Sequence, residues 1–392
     1  MNFILFDEQV THKRLLPFTF TRPISEIRIG IMTIREKWEK ISGQKMTVIT
    51  EDYLAVKYPM SFSKKEDNIW INGSVLPTPE LFKNIKALKK NEDLKSEDTL
   101  IAVNSGSSKL ENFVGKTKGK EWNGDPILKI NNMWDIFSLN GKALELDYKL
   151  LTKGRKSAGV SKTNILIGKN IFIEKGAKLE CVVLNASDGP IYIGKDSEVM
   201  EGSVIRGPFA LCEGSTIKMG AKIYGPTTIG PHSKVGGEVS NSVIFGYSNK
   251  GHDGFLGNSV IGEWCNLGAD TNTSNLKNNY SVVSVYDQAS QKMVSTGLTF
   301  CGLMMGDHSK CSINTMFNTG TVVGVCTNIF GGDFPPKFVP SFSWGGAGGF
   351  TKYELEKAFE TAGRVFERRH KEFDNIEKNI LKEVFSMINS KD

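Results

Sequence analysis

Long uninterrupted apolar runs are missing from this 392-residue chain. None approaches the ~18 residues without charge or glycine that a membrane-spanning helix needs, so no span and no membrane partner are expected. Paired cysteines are missing as well. The six present (Cys181, Cys212, Cys265, Cys301, Cys311 and Cys326) show no C-x-x-C and no zinc spacing, which argues against a disulfide scaffold or a zinc ribbon. They read as small buried thiols in a reducing compartment. The opening residues 1–8 meet acid at once and lack the basic segment of a signal peptide, so a cytoplasmic protein is expected. Strong charge of one sign is absent too: 49 Lys and Arg against 43 Asp and Glu leave a net +6, spread along the chain. That balance suits a small anionic substrate and argues against a nucleic-acid partner.

Glycine is present in quantity, 40 residues, and its distribution is uneven. From about residue 163 the chain falls into a six-residue rhythm. Ile193, Val199, Ile205, Leu211, Ile217, Ile223, Ile229 and Val235 stand six apart, and all eight are aliphatic. Four residues after most of them comes a small or β-branched side chain: Ser197, Ser203, Ser215, Ala221, Thr227, Ser233 and Val239, with Phe209 the exception. The phase also shows at Ile167, Ile173 and Leu179, at Ile261 and Leu267, and again at Met305, Cys311, Phe317, Val323 and Ile329. A helix repeats at 3.6 and a strand at 2, so a period of six fits neither. It is the hexapeptide repeat of a left-handed parallel β-helix, in which three hexads close a triangular coil and coils stack at the ~4.8 Å strand spacing. The rhythm breaks at 185–190, 241–257 and 273–302, where loops are expected to project and wall a site.

The ends differ. Residues 1–152 read as a small open α/β sheet: strands at 3–6, 46–50, 69–73 and 99–103, helices at 31–40 and 79–90, the latter entered by Thr78-Pro79. Residues 153–162 read as a linker, 163–345 as the β-helix, and 351–392 as one amphipathic C-terminal α-helix with Arg364, Arg368 and Arg369 clustered on it. Those arginines are of a type that grips phosphates, although exposed arginines are more often simply solvated.

Within the repeats, Asn241-Ser242-Val243-Ile244, Gly251-His252, Phe255-Leu256-Gly257, Ile261-Gly262-Glu263, 266–271, Ser274-Asn275-Leu276 and Gly306-Asp307-His308 follow one another in order. Together they resemble the acetyltransferase domain of the bifunctional glucosamine-1-phosphate acetyltransferase / N-acetylglucosamine-1-phosphate uridylyltransferases. More loosely, 15–23 and 26–30 resemble a divergent sugar-nucleotidyltransferase family. The resemblance implies His252 as general base, a role that suits an imidazole titrating near neutrality. It implies Asn275 as an acceptor-sugar contact, acetyl-coenzyme A along the coils near 305–321, and a homotrimer with its site between subunits. The implied ligands are a sugar phosphate, acetyl-coenzyme A and a nucleoside triphosphate.

The chain also departs from that family. Its tyrosine three residues after the base is Phe255, and its phosphate-binding arginine and lysine fall on Tyr224 and Ser240, leaving Arg206 and Lys250 as replacement cations. Residues 6–14 hold no glycine where the nucleotidyltransferases carry a phosphate-cradling loop, and Asn72-Gly73-Ser74 lacks the family's metal aspartate. Arg14, Arg22 and Arg28 remain as nucleotide-binding candidates, with Asp7 for Mg2+. A catalytically silent nucleotide-sugar sensor, or nucleotidyl transfer alone, stays open as an alternative. A zinc site is disfavoured, since His232, His252 and His308 lie 20 and 56 residues apart.

Overall fold

Each aliphatic side chain of the six-residue row at 193–235 lies inside a three-sided column, at most 1% exposed. The computed structural model describes residues 1–60, 68–105 and 118–390. The column's three sheets have nine, ten and six strands, all parallel except the last of the ten, Gly349–Lys352, which is antiparallel. Ile193, Leu211 and Ile229 stack in register eighteen residues apart, as do Val199, Ile217 and Val235. Buried serines join coils: Ser203 donates to the Lys218 carbonyl and Ser215 to that of Gly230.

Two readings of the rhythm are corrected. The segment 241–257 does not project. It carries three short strands in register, and the coil merely shortens, so that Ile229 pairs with Ile244 and Val235 with Lys250, fifteen residues on. In the first coil Leu166, not Ile167, is in register with the buried Leu184, and Ile167, in register with Asn185 on the outward row, is 41% exposed. The 273–302 excursion does leave the column, forming the antiparallel hairpin Ser284–Asp287 and Lys292–Ser295.

One corner of the column holds a left-handed residue in each coil: His232, Tyr247, Trp264, His308, Cys326 and Phe342, with φ between 53° and 61°. Side chains are strained there, yet these stack: His232 on Tyr247 at 4.9 Å, Tyr247 on Trp264 at 4.2 Å, Trp264 on His308 at 6.4 Å. Each of their amides also donates to the coil before, as from Tyr247 to the Pro231 carbonyl. Stacking and hydrogen bonding offset the backbone cost.

The N-terminal sheet runs Thr47–Ile49, Asn2–Phe6, Asn68–Asn72, Thr99–Ser105, Glu92–Ser96, Lys118–Glu121, with its first three strands parallel. A capping box of Thr33 and Glu36 starts the helix Ile34–Ser42, and Thr78 with Pro79 starts Pro79–Lys86. This part lies against the nine-stranded face, and one core crosses the junction, joining Leu15, Phe18 and Ile24 to Val243, Phe245 and Met304.

At that junction Arg22, 4% exposed, grips Asp307 through both carboxylate oxygens (3.1 and 2.6 Å) and reaches Glu263 at 3.1 Å. Thr21 donates to Asp307 as well (2.7 Å). Burial alone would raise the Asp307 carboxyl, but Arg22 holds it below the ordinary carboxylate range. Burial drives the neighbouring His308 down to about 3, and its Nδ1 has no partner. An unfolded histidine takes its proton near pH 6.5; this one stays neutral until about pH 3. The unfolded chain therefore binds more protons in that window, and stability falls as pH falls through it, by up to ~1.4 kcal/mol per unit. In chemical denaturation from pH 7 to 4, His308→Phe is expected to flatten this decline; an unchanged slope would remove His308 as its source.

The C-terminal segment, expected as one helix, is a hairpin (Ser343–Gly346 with Gly349–Lys352) followed by two helices, Leu355–Glu367 and Asn375–Asn389. Asp374 caps the second by accepting from the Glu377 amide, which is why the chain turns there. Phe366 stacks on Trp264 at 3.9 Å, and Glu377 meets Lys57 of the N-terminal part at 2.5 Å. These helices cover part of the ten-stranded face. Among the described residues, no helix is long and apolar enough to cross a membrane.

Candidate active site

The six-stranded face presents outward rows of side chains fixed by register. Lys222, Glu238 and Phe255 form one row; Tyr224, Ser240 and Gly257 form the next. Tyr224 is 44% exposed. Arg206 stands on the preceding strand, 3.4 Å from Asp188. Beside Gly257, the Asn275 side-chain amide donates to Asn258 Oδ1 at 2.8 Å, and Asn272 Oδ1 accepts from the Phe255 backbone amide at 2.9 Å. The structure thus brings Tyr224, Phe255 and Asn275 to one face. Asn258 and Asn272 join them there, and no spacing in the sequence singled either out.

His252 sits at the corner where the ten-stranded face turns into this one, on the exposed bend between Asn249–Lys250 and Phe255–Gly257. Two glycines let the bend lie flat. A Cβ on Gly237 would come 2.8 Å from the His252 carbonyl oxygen, and one on Gly254, at φ +109°, would come 2.2 Å from the Thr271 carbonyl oxygen.

Lys250 lies elsewhere than on the acceptor face. It occupies an inward position between Val235 and Leu267, 3% exposed, where the other coils bury aliphatics. Its ammonium donates to the carbonyls of His252 (2.7 Å) and Asp253 (3.2 Å), tying down the histidine's own bend. Burial pulls the group down to about 8, against the opposing pull of Asp253 and Asp270. A charge in an aliphatic stack costs stability unless it is well paired, so its retention points to a positioning role. Lys250→Met is expected to raise stability by about 1–2 kcal/mol while lowering kcat for acyl transfer about tenfold, with little change in KM. Melting and turnover falling together would instead make it a simple structural residue.

In the N-terminal part, the ends of the parallel strands gather Asp7, Glu8, Asn72 and Lys129. Asp7 is already engaged, by His12 Nδ1 (3.0 Å), the Thr50 hydroxyl (2.6 Å) and the Ile24 amide (3.0 Å). Glu8 accepts from Lys129 and Thr11; burial opposes its charge, but these partners hold it below the ordinary range. Among the described residues no group of three or more His, Cys, Asp or Glu side chains could hold a metal ion. The three histidines considered for zinc are likewise apart: His232 and His308 stand in the stacked corner with Tyr247 and Trp264 between them, and His252 is at another corner. Arg14 is exposed, Arg22 is committed to Asp307, and Arg28 donates to the Ile31 carbonyl (2.5 Å) and lies 3.6 Å from Glu36. Arg28 lines a cleft of about 820 Å³ between the sheet domain and the column.

Residues 3–156 match the sugar nucleotidyl transferase family. The bifunctional protein GlmU of Methanococcus vannielii is 28% identical over 264 residues, covering 60% of this chain and 57% of its own. That of Methanocaldococcus jannaschii is 27% identical over 295 residues, covering 71% and 67%. The bifunctional sugar-1-phosphate nucleotidylyltransferase/acetyltransferase of Sulfurisphaera tokodaii is 29% identical over 208 residues, covering 52% and 45%. The chain is similar to these bifunctional proteins, and it spans about 57% of the length of the first of them. The Francisella novicida UDP-N-acetylglucosamine acyltransferase structure aligns over 59% of this chain and 85% of its own at 14% identity, with a TM-score of 0.30. That score is too low to argue from.

Proposed function

We propose that this chain is an enzyme of nucleotide-sugar metabolism, acting in the cytoplasm, with its parts at 1–152, 153–162, 163–345 and 351–392. The column transfers an acetyl group from acetyl-coenzyme A to the amino group of a sugar; the N-terminal part acts on a sugar 1-phosphate and a nucleoside triphosphate. The observation that carries the reading is His252 on a bend pinned by Lys250, at the edge of the face holding Phe255 and Asn275. The sugar nitrogen attacks the thioester carbon, the C–N bond forms and the C–S bond breaks. The nitrogen's proton passes to the His252 imidazole, and the departing thiolate is protonated in turn.

The open face also supports a homotrimer. Val204 and Tyr224 point outward from it, each at least 40% exposed, whereas the nine-stranded face is covered by the N-terminal part and part of the ten-stranded face by the C-terminal helices. Apolar exposure of that kind is what a second copy covers, and light scattering at working concentration should report three chains.

Tyr224, Ser240 and Phe255 carry no charge, Arg206 lies 3.4 Å from Asp188 and Lys222 is in register with Glu238, so the acceptor face has little unopposed positive charge. The acceptor is then held more by stacking and amide contacts than by a grip on phosphate. Free amino sugars, their 1-phosphates and nucleotide-linked amino sugars, each with acetyl-coenzyme A, test this through thiol release. Turnover with one of them is expected, and none across the panel would overturn the acyl-transfer reading. A second reading for the N-terminal part, binding a sugar nucleotide without turning it over, is favoured by Arg22 being spent on Asp307 and by Asp7 being already engaged by His12, Thr50 and the Ile24 amide. Pyrophosphate release from uridine or thymidine triphosphate and a sugar 1-phosphate decides between the two.

A further inference from the structure

A cavity of about 340 Å³ lies between the end of the helix Leu355–Glu367 and the ten-stranded face; of its lining only Lys310 falls in the 305–321 stretch expected to carry acetyl-coenzyme A, and none of it belongs to the acceptor face or the His252 bend. Its floor is a row set by register: Lys234 beside Asn249, Asn249 beside Asn266, Asn266 beside Lys310. Three coil steps make that row about 14 Å long, with a lysine at each end and two amides between. Arg368 and Arg369 wall it from the helix side, and Tyr247 and Trp264 from the stacked corner. Among the described residues no carboxylate lines it. Arg364, one turn earlier, is neutralised by Glu360. Lys234, Arg368 and Arg369 have no ion pair among the described residues, and Lys310 donates to the His308 carbonyl at 2.8 Å.

Burial, and then the neighbouring cations, lower the proton affinity of both Lys234 and Arg369. Four cations facing one concave space repel one another, which costs stability unless an anion joins them. A helix C-terminus accounts for two of these charges, Arg368 and Arg369. It does not account for Lys234 and Lys310, which project from the sheet. A row of this length with cations at both ends exceeds the span of a halide and suits a ligand carrying more than one anionic oxygen group.

We propose that this cavity binds a phosphate-bearing small molecule, a diphosphate or a phosphate ester of similar reach, at a site separate from the acyl-transfer corner. The separation is geometric. Tyr247 and Trp264 stand at one edge of the ten-stranded face and His252 at the other. The inference therefore holds whether or not His252 is the base.

Calorimetry on the full chain with inorganic pyrophosphate, at matched ionic strength and without divalent cations, tests it. Saturable binding is expected, with a pyrophosphate-dependent rise in melting temperature. Lys234→Gln combined with Arg369→Gln is expected to weaken that binding at least tenfold, and Lys310→Met likewise. Without ligand, both variants should melt no lower than the parent, because a repulsion has been relieved. His252→Ala should leave the affinity unchanged. Absence of saturable heat would overturn the proposal, as would parental affinity in the double variant, which would place the binding in the N-terminal part. Displacement of pyrophosphate by saturating coenzyme A would also overturn it, since the cavity would then belong to the acyl donor.

Discussion

His252→Ala is expected to cut acyl transfer about 10²-fold or more while leaving coenzyme A binding nearly intact. The substitution removes an imidazole from an exposed bend and nothing from a core. The bend keeps its shape without it, because Lys250 holds the backbone carbonyl of residue 252 and not its side chain. Gly237 and Gly254 still admit the close approaches on either side. A loss of turnover with unchanged melting and unchanged coenzyme affinity therefore reports proton transfer. Parental turnover would take His252 out of the mechanism. The pair of variants is informative together: Lys250→Met displaces the base and His252→Ala deletes it, so the first should lose less than the second. The opposite order would sink the positioning role of Lys250.

Breaking the Arg22–Asp307 clamp is expected to cost about 3–5 kcal/mol, because Arg22→Met leaves Asp307 buried without its cation and Asp307→Asn leaves the buried Arg22 only the partly exposed Glu263. Asp307→Asn keeps the shape, and with it the contacts to Thr21 and to the Glu263 amide, but removes the charge that Arg22 was buried against. Arg22 also lies over the Phe245 ring, its guanidinium 5.0 Å from the centroid, so Arg22→Met retains bulk where Ala would open a cavity. The double variant Arg22→Met/Asp307→Leu should recover part of the loss, since neither charge then remains to be buried. Denaturant titrations read all three. A cost below about 1 kcal/mol for Asp307→Asn would mean that water reaches the junction and the clamp is weak. A large cost would tie the N-terminal part and the column into one cooperative unit, consistent with the core that runs from Phe18 to Val243.

The column was legible because its signal is local and repeated. Each coil asks the same question of a residue six positions on, and Ile193 through Val235 answer it identically. Four of the six strands of the N-terminal sheet were legible for a similar reason, as short apolar runs bounded by turns, whereas the polar Glu92–Ser96 and Lys118–Glu121 were not, and Thr78-Pro79 announced its helix through the chemistry of a single cap. The rhythm misled where coil length changed. Three residues fewer between Val235 and Lys250 put the six-residue count out of phase without disturbing the stacking, so 241–257 read as a loop. The C-terminal segment misled because one amphipathic pattern continues across the turn that Asp374 caps.

Composition and periodicity by themselves settled that the second half is a narrow stacked column and the first half a small α/β sheet, since burying one aliphatic per hexad leaves few other geometries. What each charge does was decided by tertiary structure. Arg22 read as a phosphate ligand until Asp307, 285 residues away, closed on it. Lys250 read as a replacement cation for the acceptor until its coil turned it inward. An arginine or lysine is ionised and long wherever it stands, so its sequence neighbours say little about its partner; the partner is set by which distant segment the fold brings within reach.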